Sequence, residues 1–226
     1  MPLKAVLCDM DGVIVDTEPL HRKAYFHLFN DLGIHVSEEL YTTFTGASTN
    51  KVCDTLIERY GLENSREELA LIKRKYFKDY FYNDPEFNLI PGVRSLIKNY
   101  YENNIKLVLA SSASMTTINM VFEKFELEKY FMGKISGDEL RESKPNPEIF
   151  LIAAEIANEP KENCMVIEDS TNGIIAAHSA GIFCTAYKSE HSVGQNYEKA
   201  NLVISDFSEI EFEKMGTYFQ SNLSEH

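Results

Sequence analysis

Asp9 and Asp11 stand two residues apart where an apolar run ends, in the stretch LKAVLCDMDGVIVD. A run such as Ala5-Val6-Leu7-Cys8 has the texture of a strand buried on both faces. Two carboxylates and a glycine are a poor way to end one, because buried carboxylates cost several kcal/mol unless a cation or donors compensate them. Two other polar groups follow apolar runs in the same manner, Ser111-Ser112 after LVLA and Glu168-Asp169 after Met165-Val166-Ile167, and Lys144 follows the short third strand in the turn-rich SKPNP. Together these types fit phosphoryl transfer. Asp9 and Asp169 are hard oxygen ligands suited to Mg2+, and a backbone carbonyl near Asp11 can add another. A carboxylate can attack phosphorus to give an aspartyl phosphate once its repulsion from a dianionic substrate is cancelled. Two like charges about 4 Å apart cost roughly 4 kcal/mol at an effective dielectric of about 20. Mg2+ and Lys144 would cancel that cost, with Ser111 and Ser112 donating to the equatorial oxygens. Asp11 can protonate the leaving oxygen and later deprotonate water.

Each group taken alone has a plainer reading. Ser111-Ser112 and Glu168-Asp169-Ser170 can be helix caps, Lys144 a solvated lysine, and Asp9 with Asp11 an acidic turn. The elements that carry them decide. Thr17 is a candidate cap for a helix from Glu18-Pro19 to near Gly33. A second helix spans about Asn50 to Tyr60, closed by Gly61. The capping box Ser65 and Glu68 opens a third helix, with Leu69, Ile72, Tyr76 and Tyr80 as its apolar stripe. No strand pattern appears between Asp16 and about Phe87.

From Pro91 onward helix and strand alternate. Strands are expected at Ile105 to Ala110, near Lys134 to Ser136, at Met165 to Ile167, at Phe183 to Ala186 and at Leu202 to Ile204. Helices are expected between them, through Ile118, Phe122 and Phe125, from Pro147, and from Thr171 to Ala180. That alternation implies right-handed crossovers and a parallel sheet between helices. The expected fold class is therefore α/β, a Rossmann-like parallel core with helices on both faces and an inserted all-helical domain. Residues 1–16 and 89–226 form the core and residues 17–88 the insertion. Ligands of such sheets bind at the carboxyl ends of the strands, which is where all four polar groups fall. The plainer readings must then explain four coincidences at one rim.

The chain has 226 residues, 44% of them hydrophobic, with 14 Phe and a net charge of −13. Such a charge argues against a nucleic-acid or anionic-membrane partner, and an anionic substrate would need its positive charge supplied locally. Cys8, Cys53, Cys164 and Cys184 lie in apolar segments without a Cys-x-x-Cys pair. They read as reduced core thiols, which favours a cytoplasmic protein. No signal-peptide pattern opens the chain and no apolar run approaches membrane-spanning length. A monomer is the default expectation. No Gly-rich loop with a following Lys-Ser/Thr supports an NTPase.

At this point the chain resembles the haloacid dehalogenase superfamily, through DMDGVIVD, LVLASS, KPNPEIF and VIEDSTNGIIAAHSAG in that order. The resemblance covers essentially the whole chain, including a helical cap inserted after the first motif. It is nearest to the beta-phosphoglucomutase-like branch of sugar-phosphate phosphatases and phosphohexomutases. It implies Asp9 as nucleophile, Asp11 as general acid/base, and Ser111 and Lys144 as holders of the transferring phosphoryl group. It places Mg2+ on Asp9, the Asp11 carbonyl and Asp169, with Glu168 in support. The dehalogenases of the superfamily lack an aspartate at the position of Asp11, which speaks against carbon–halogen cleavage.

The cap should decide between phosphatase and mutase. His21 occupies the place of a histidine that the mutases carry, and it fits a packing role equally. Three residues after the cap glycine, Gly46, the mutases have an arginine that grips the non-transferring phosphate. Here that residue is Thr49, with Lys51 nearby. Lys75 lines up with a mutase lysine that reaches the site, although Lys73-Arg74-Lys75 also reads as a solvated face. Without a bidentate donor for the distal phosphate, hydrolysis should win. The expected order is a phosphatase of a small phosphorylated metabolite first and a mutase second. An inert binding relative comes last, because Asp9, Asp11, Lys144 and Asp169 are all present.

Overall fold

The computed structural model describes residues 2–44, 48–189 and 194–221. The chain divides into two compact units, Met1–Asp16 with Asn88–His226, and Thr17–Phe87. Strand β1 (Ala5–Cys8) is followed by four helices, α1 (Glu18–Asp31), α2 (Glu38–Thr42), α3 (Thr49–Tyr60) and α4 (Arg66–Asn83). Then α5 (Val93–Glu102), β2 (Lys106–Ser111), α6 (Met115–Phe125), β3 (Phe131–Ser136) and α7 (Glu148–Ala157) alternate. The chain continues with β4 (Cys164–Glu168), α8 (Thr171–Ala180), β5 (Phe183–Tyr187), β6 (Leu202–Ile204) and α9 (Phe212–Ser221).

In the larger unit the strands form one sheet in the order β3-β2-β1-β4-β5-β6, with every pairing parallel. Ala5–Cys8 and Cys164–Glu168 are buried at every position, so both faces of the sheet are covered there. This is why β1 and β4 read as unbroken apolar runs rather than alternating ones. From β1 the chain builds outward through β2 and β3. It then crosses back to start β4 on the other side of β1. The crevice at the carboxyl ends of β1 and β4 is thus the topological switch point, where open α/β sheets hold ligands.

The smaller unit is helical throughout its described residues, around a core that includes Leu28, Val52, Leu56 and Leu69. Three expectations need correction there. Helix α2 is short and carries no sustained period, so it was not anticipated. Thr17 makes no side-chain cap, because its own backbone is already helical (φ −91°, ψ −9°) instead of extended. The buried face of α4 is Leu69, Ala70, Lys73, Phe77 and Phe81, one residue round the helix from the anticipated stripe. The two phenylalanines bury fully apolar rings. Tyr76 instead donates its hydroxyl to Asp31, and the Tyr80 hydroxyl meets His27 Nδ1 at 2.9 Å.

Candidate active site

Asp9 follows β1 directly, and its N–H donates to the Ile167 carbonyl at 3.0 Å, extending the ladder with β4 by one rung. The chain then turns tightly. Ile14 and Val15 both donate to the Met10 carbonyl, at 2.8 and 3.1 Å, and Gly12 donates to Val15 at 2.7 Å. Partly buried Asp11 lies in this turn. Gly12 has φ +81°, and a Cβ there would fall 2.1 Å from Asp169 Oδ2. The glycine serves two ends at once: it permits the left-handed turn and lets β1's exit press against the carboxyl that follows β4.

Lys144 joins the two strand ends. Its ammonium donates to Asp9 Oδ1, to Glu168 Oε1 at 2.7 Å and to the Ala110 carbonyl at 3.0 Å. All three of its protons are therefore placed. The side chain is 5% exposed, so it is no surface lysine. Burial pulls its pKa down, but the carboxylates of Asp9 and Glu168 outweigh burial and raise it above the ordinary lysine value. Glu168 is as tightly held. Its Oε2 accepts from the Asp169 and Ser170 N–H groups, both at 2.8 Å, and from the Ser170 hydroxyl at 2.9 Å. A Cβ on Gly173 would lie 1.7 Å from Glu168 Oε1, so that glycine makes room for the carboxylate.

The two serines separate. Ser111 ends β2 fully buried, next to the Ala110 carbonyl that Lys144 reaches, and its Oγ accepts from the Ala113 N–H at 3.1 Å. Ser112 is exposed. Neither is the N-cap of α6, a role taken by Ser114, whose Oγ accepts from Thr117 N–H at 3.3 Å.

The electrostatics ask for more positive charge than the protein supplies. Burial raises the Asp9 pKa well above the usual carboxylate range, and Glu168 and Asp169 add to it against the pull of Lys144. Burial and then Glu168 push Asp169 up to about 7. Three clustered carboxylates thus face one ammonium, and a divalent cation would balance them. Among the described residues no three His, Cys, Asp or Glu side chains form a metal-holding group. Glu168 is turned to Lys144 and to the start of α8. The donors left for a cation are the Asp9 and Asp169 carboxylates and main-chain oxygen near Asp11, a hard-oxygen set that suits Mg2+. Cys8, beside Asp9, is inert: burial foremost, then Asp9, pushes its thiol up to about 12. All four cysteines are free and buried.

The remaining candidates lie in the helical unit. Gly46 falls outside the described residues. Thr49 opens α3 and hydrogen-bonds the Tyr25 phenol. Lys75 is exposed. The lysine that the fold sets apart is Lys73, 3% exposed, with Nζ 2.6 Å from His21 Nδ1 and 4.8 Å from the Tyr25 ring centroid. His21 stacks on Phe77, ring centroids 4.3 Å apart. Burial first and Lys73 second lower the His21 pKa to about 3, so its neutral Nδ1 is the acceptor. Burial lowers Lys73 itself to about 8. Sequence reasoning passed over Lys73 because it sits in a run of three cations. Its spacing of four from Leu69 and Phe77 was the available signal. No helix of the described residues is long and apolar enough to cross a membrane.

Residues 6–187 match the family model described as haloacid dehalogenase-like hydrolase. The chain is 34% identical over 184 residues to a phosphorylated carbohydrates phosphatase of Thermotoga maritima, covering 80% of this chain and 82% of that protein. It is 28% identical over 216 residues to a beta-phosphoglucomutase of Bacillus subtilis, covering 93% of each. Among solved structures it superposes on CbbY from Rhodobacter sphaeroides in complex with phosphate, with TM-score 0.77 and 25% identity. That match covers 92% of this chain and 96% of the other.

Proposed function

The chain belongs to the haloacid dehalogenase-like hydrolases, and from that membership we propose a Mg2+-dependent phosphatase of a small phosphorylated metabolite, a sugar phosphate, working through an aspartyl phosphate on Asp9. The observation that carries this reading is the Lys144 ammonium placed between Asp9 and Glu168 at the switch point of the sheet. Asp9, the Asp11 carbonyl and Asp169 would hold Mg2+, with Glu168 in support, and the cation would supply the charge that lets a carboxylate approach an anionic phosphoryl group.

The residues' own roles follow from their chemistry. Asp9 attacks phosphorus and forms an acyl phosphate as the bond to the leaving oxygen breaks. Asp11 gives that oxygen its proton and then takes one from the water that hydrolyses the intermediate. Lys144 and Ser111 offset the charge that gathers on the transferring group. We assign the helical unit the part of a cap that selects the substrate.

A second reading, a beta-phosphoglucomutase-type phosphohexomutase, is favoured by the beta-phosphoglucomutase relative matched along 93% of both chains. Thr49 standing where those mutases carry an arginine ranks it below the phosphatase. The deciding experiment is a panel of sugar phosphates with Mg2+, scoring isomerisation beside phosphate release. Its key arm is beta-glucose 1-phosphate with a trace of the bisphosphate. Net phosphate release is expected, and rapid isomerisation without release would reverse the ranking.

A further inference from the structure

Asp169 is followed at once by the start of α8, and the first N–H groups of a helix have no partner inside it. The start of α8 is wired from two directions. From the strand side, Glu168 Oε2 takes the N–H groups of Asp169 and Ser170, and Ser170 Oγ takes that of Gly173 at 3.1 Å. From the far side comes a residue 24 positions later. Gln195 Oε1 accepts both the Thr171 N–H at 2.7 Å and the Thr171 hydroxyl at 2.8 Å. The Asn196 N–H returns a bond to Thr171 Oγ1 at 2.8 Å. Three hydrogen bonds therefore clip the first residue of α8 to two successive residues of the connection between β5 and β6.

The clip matters because the carboxyl beside it has little slack. Asp169 Oδ2 lies only 2.1 Å from where a Cβ on Gly12 would be, so its carboxyl is already in close contact with the turn after β1. A small displacement of the helix start moves that carboxyl into the turn or away from Asp9. Glu168 restrains the helix start from before, and Gln195 restrains it from behind.

We propose that Gln195, acting through Thr171, is a positioning residue for the Asp169 carboxylate and so for cation binding. The proposal rests on the metal reading under Proposed function. The groups that orient a metal ligand typically change metal affinity tenfold or more when removed.

The test is calorimetric titration of Mg2+ into the full chain as wild type, Gln195→Leu and Gln195→Glu, with thermal unfolding of each metal-free protein. Leucine keeps the shape and removes the acceptor oxygen, whereas glutamate keeps an acceptor in place. Gln195→Leu is expected to weaken Mg2+ binding about tenfold, with a midpoint temperature close to wild type. Gln195→Glu is expected to bind Mg2+ within about threefold of wild type, because a carboxylate oxygen can accept the same two hydrogen bonds from Thr171. Wild-type affinity in Gln195→Leu overturns the proposal, as does equal weakening in both variants, because the acceptor oxygen would then not be what counts. Failure of the wild type to bind Mg2+ overturns the metal reading itself, and this proposal with it.

Discussion

Lys144 places all three ammonium protons inside the protein, on Asp9, Glu168 and the Ala110 carbonyl. Removing it strands two buried carboxylates. Lys144→Met is therefore expected to abolish phosphate release and to cost about 3–5 kcal/mol of stability at neutral pH. The deficit should shrink as pH falls, because the Asp9 carboxyl, which burial holds well above the usual carboxylate range, can then take up a proton in the folded state. Urea unfolding at two pH values measures it, and a neutral or stabilising effect at pH 7 would contradict the arrangement. Gly173→Ala makes a sharper residue-scale test. Alanine is the better helix former by about 1 kcal/mol, so propensity alone calls for a gain. The new Cβ, however, would stand 1.7 Å from Glu168 Oε1. A loss of roughly 2–4 kcal/mol is expected, and a gain would show that Glu168 is free to move aside. At this scale Asp9, Lys144 and Asp169 were legible, because each charge interrupts an apolar or turn-rich pattern. Gly173 and Gln195 were not, since what they accommodate or bind comes from other parts of the fold.

At the scale of elements, strands showed through the sequence best. Ala5–Cys8 and Cys164–Glu168 are buried at every position, and Ala5–Cys8 and Cys164–Ile167 accordingly carry unbroken apolar runs. Helix α4 was located correctly but turned wrongly by one residue, because a tyrosine and a phenylalanine look alike in a pattern until a hydroxyl finds its partner. The same rotation buried Lys73 in place of the neighbouring apolar Ile72. That burial has a pH signature. The folded pKa of Lys73 is about 8, below the ordinary lysine value of about 10.4. Between these two values the unfolded chain binds more protons than the folded one, so this group's contribution to stability rises with pH through that window. Lys73→Met removes the buried charge and is expected to be the more stable protein at pH 7, by roughly 1–3 kcal/mol. The gap should narrow by pH 10. Thermal unfolding of both proteins across that range is the check, and a gap that stays constant would place the ammonium in a better-solvated setting.

For the whole molecule the dominant quantity is the net charge of −13. A substrate anion approaches against that field and meets positive charge locally, at Lys144 and at the proposed cation. Salt should therefore help. Raising ionic strength from about 0.01 to 0.15 M shortens the screening length from about 30 to 8 Å. At saturating Mg2+, kcat/KM for a sugar phosphate is expected to rise about twofold or more over that range. A fall would mean that local cations, not the overall field, govern encounter. The division into two units was legible as a change of texture, from short apolar runs to amphipathic stretches after Asp16 and back again near Leu89. The substrate was not, because the selectivity we assign to the helical unit would depend on side-chain arrangement there, and the pattern of that unit encodes mainly its own packing.

In the proposed cycle Asp9 becomes covalently phosphorylated when Mg2+ is present. Wild type and Asp9→Asn should be given an aryl phosphate with Mg2+, quenched rapidly in acid and mapped by peptide mass spectrometry while phosphate release is followed in parallel. One phosphoryl group is expected on the Asp9 peptide of the wild type, and neither label nor release in Asp9→Asn or in the presence of a chelator. Release that persists at the wild-type rate in Asp9→Asn, or a label on another residue, would contradict it.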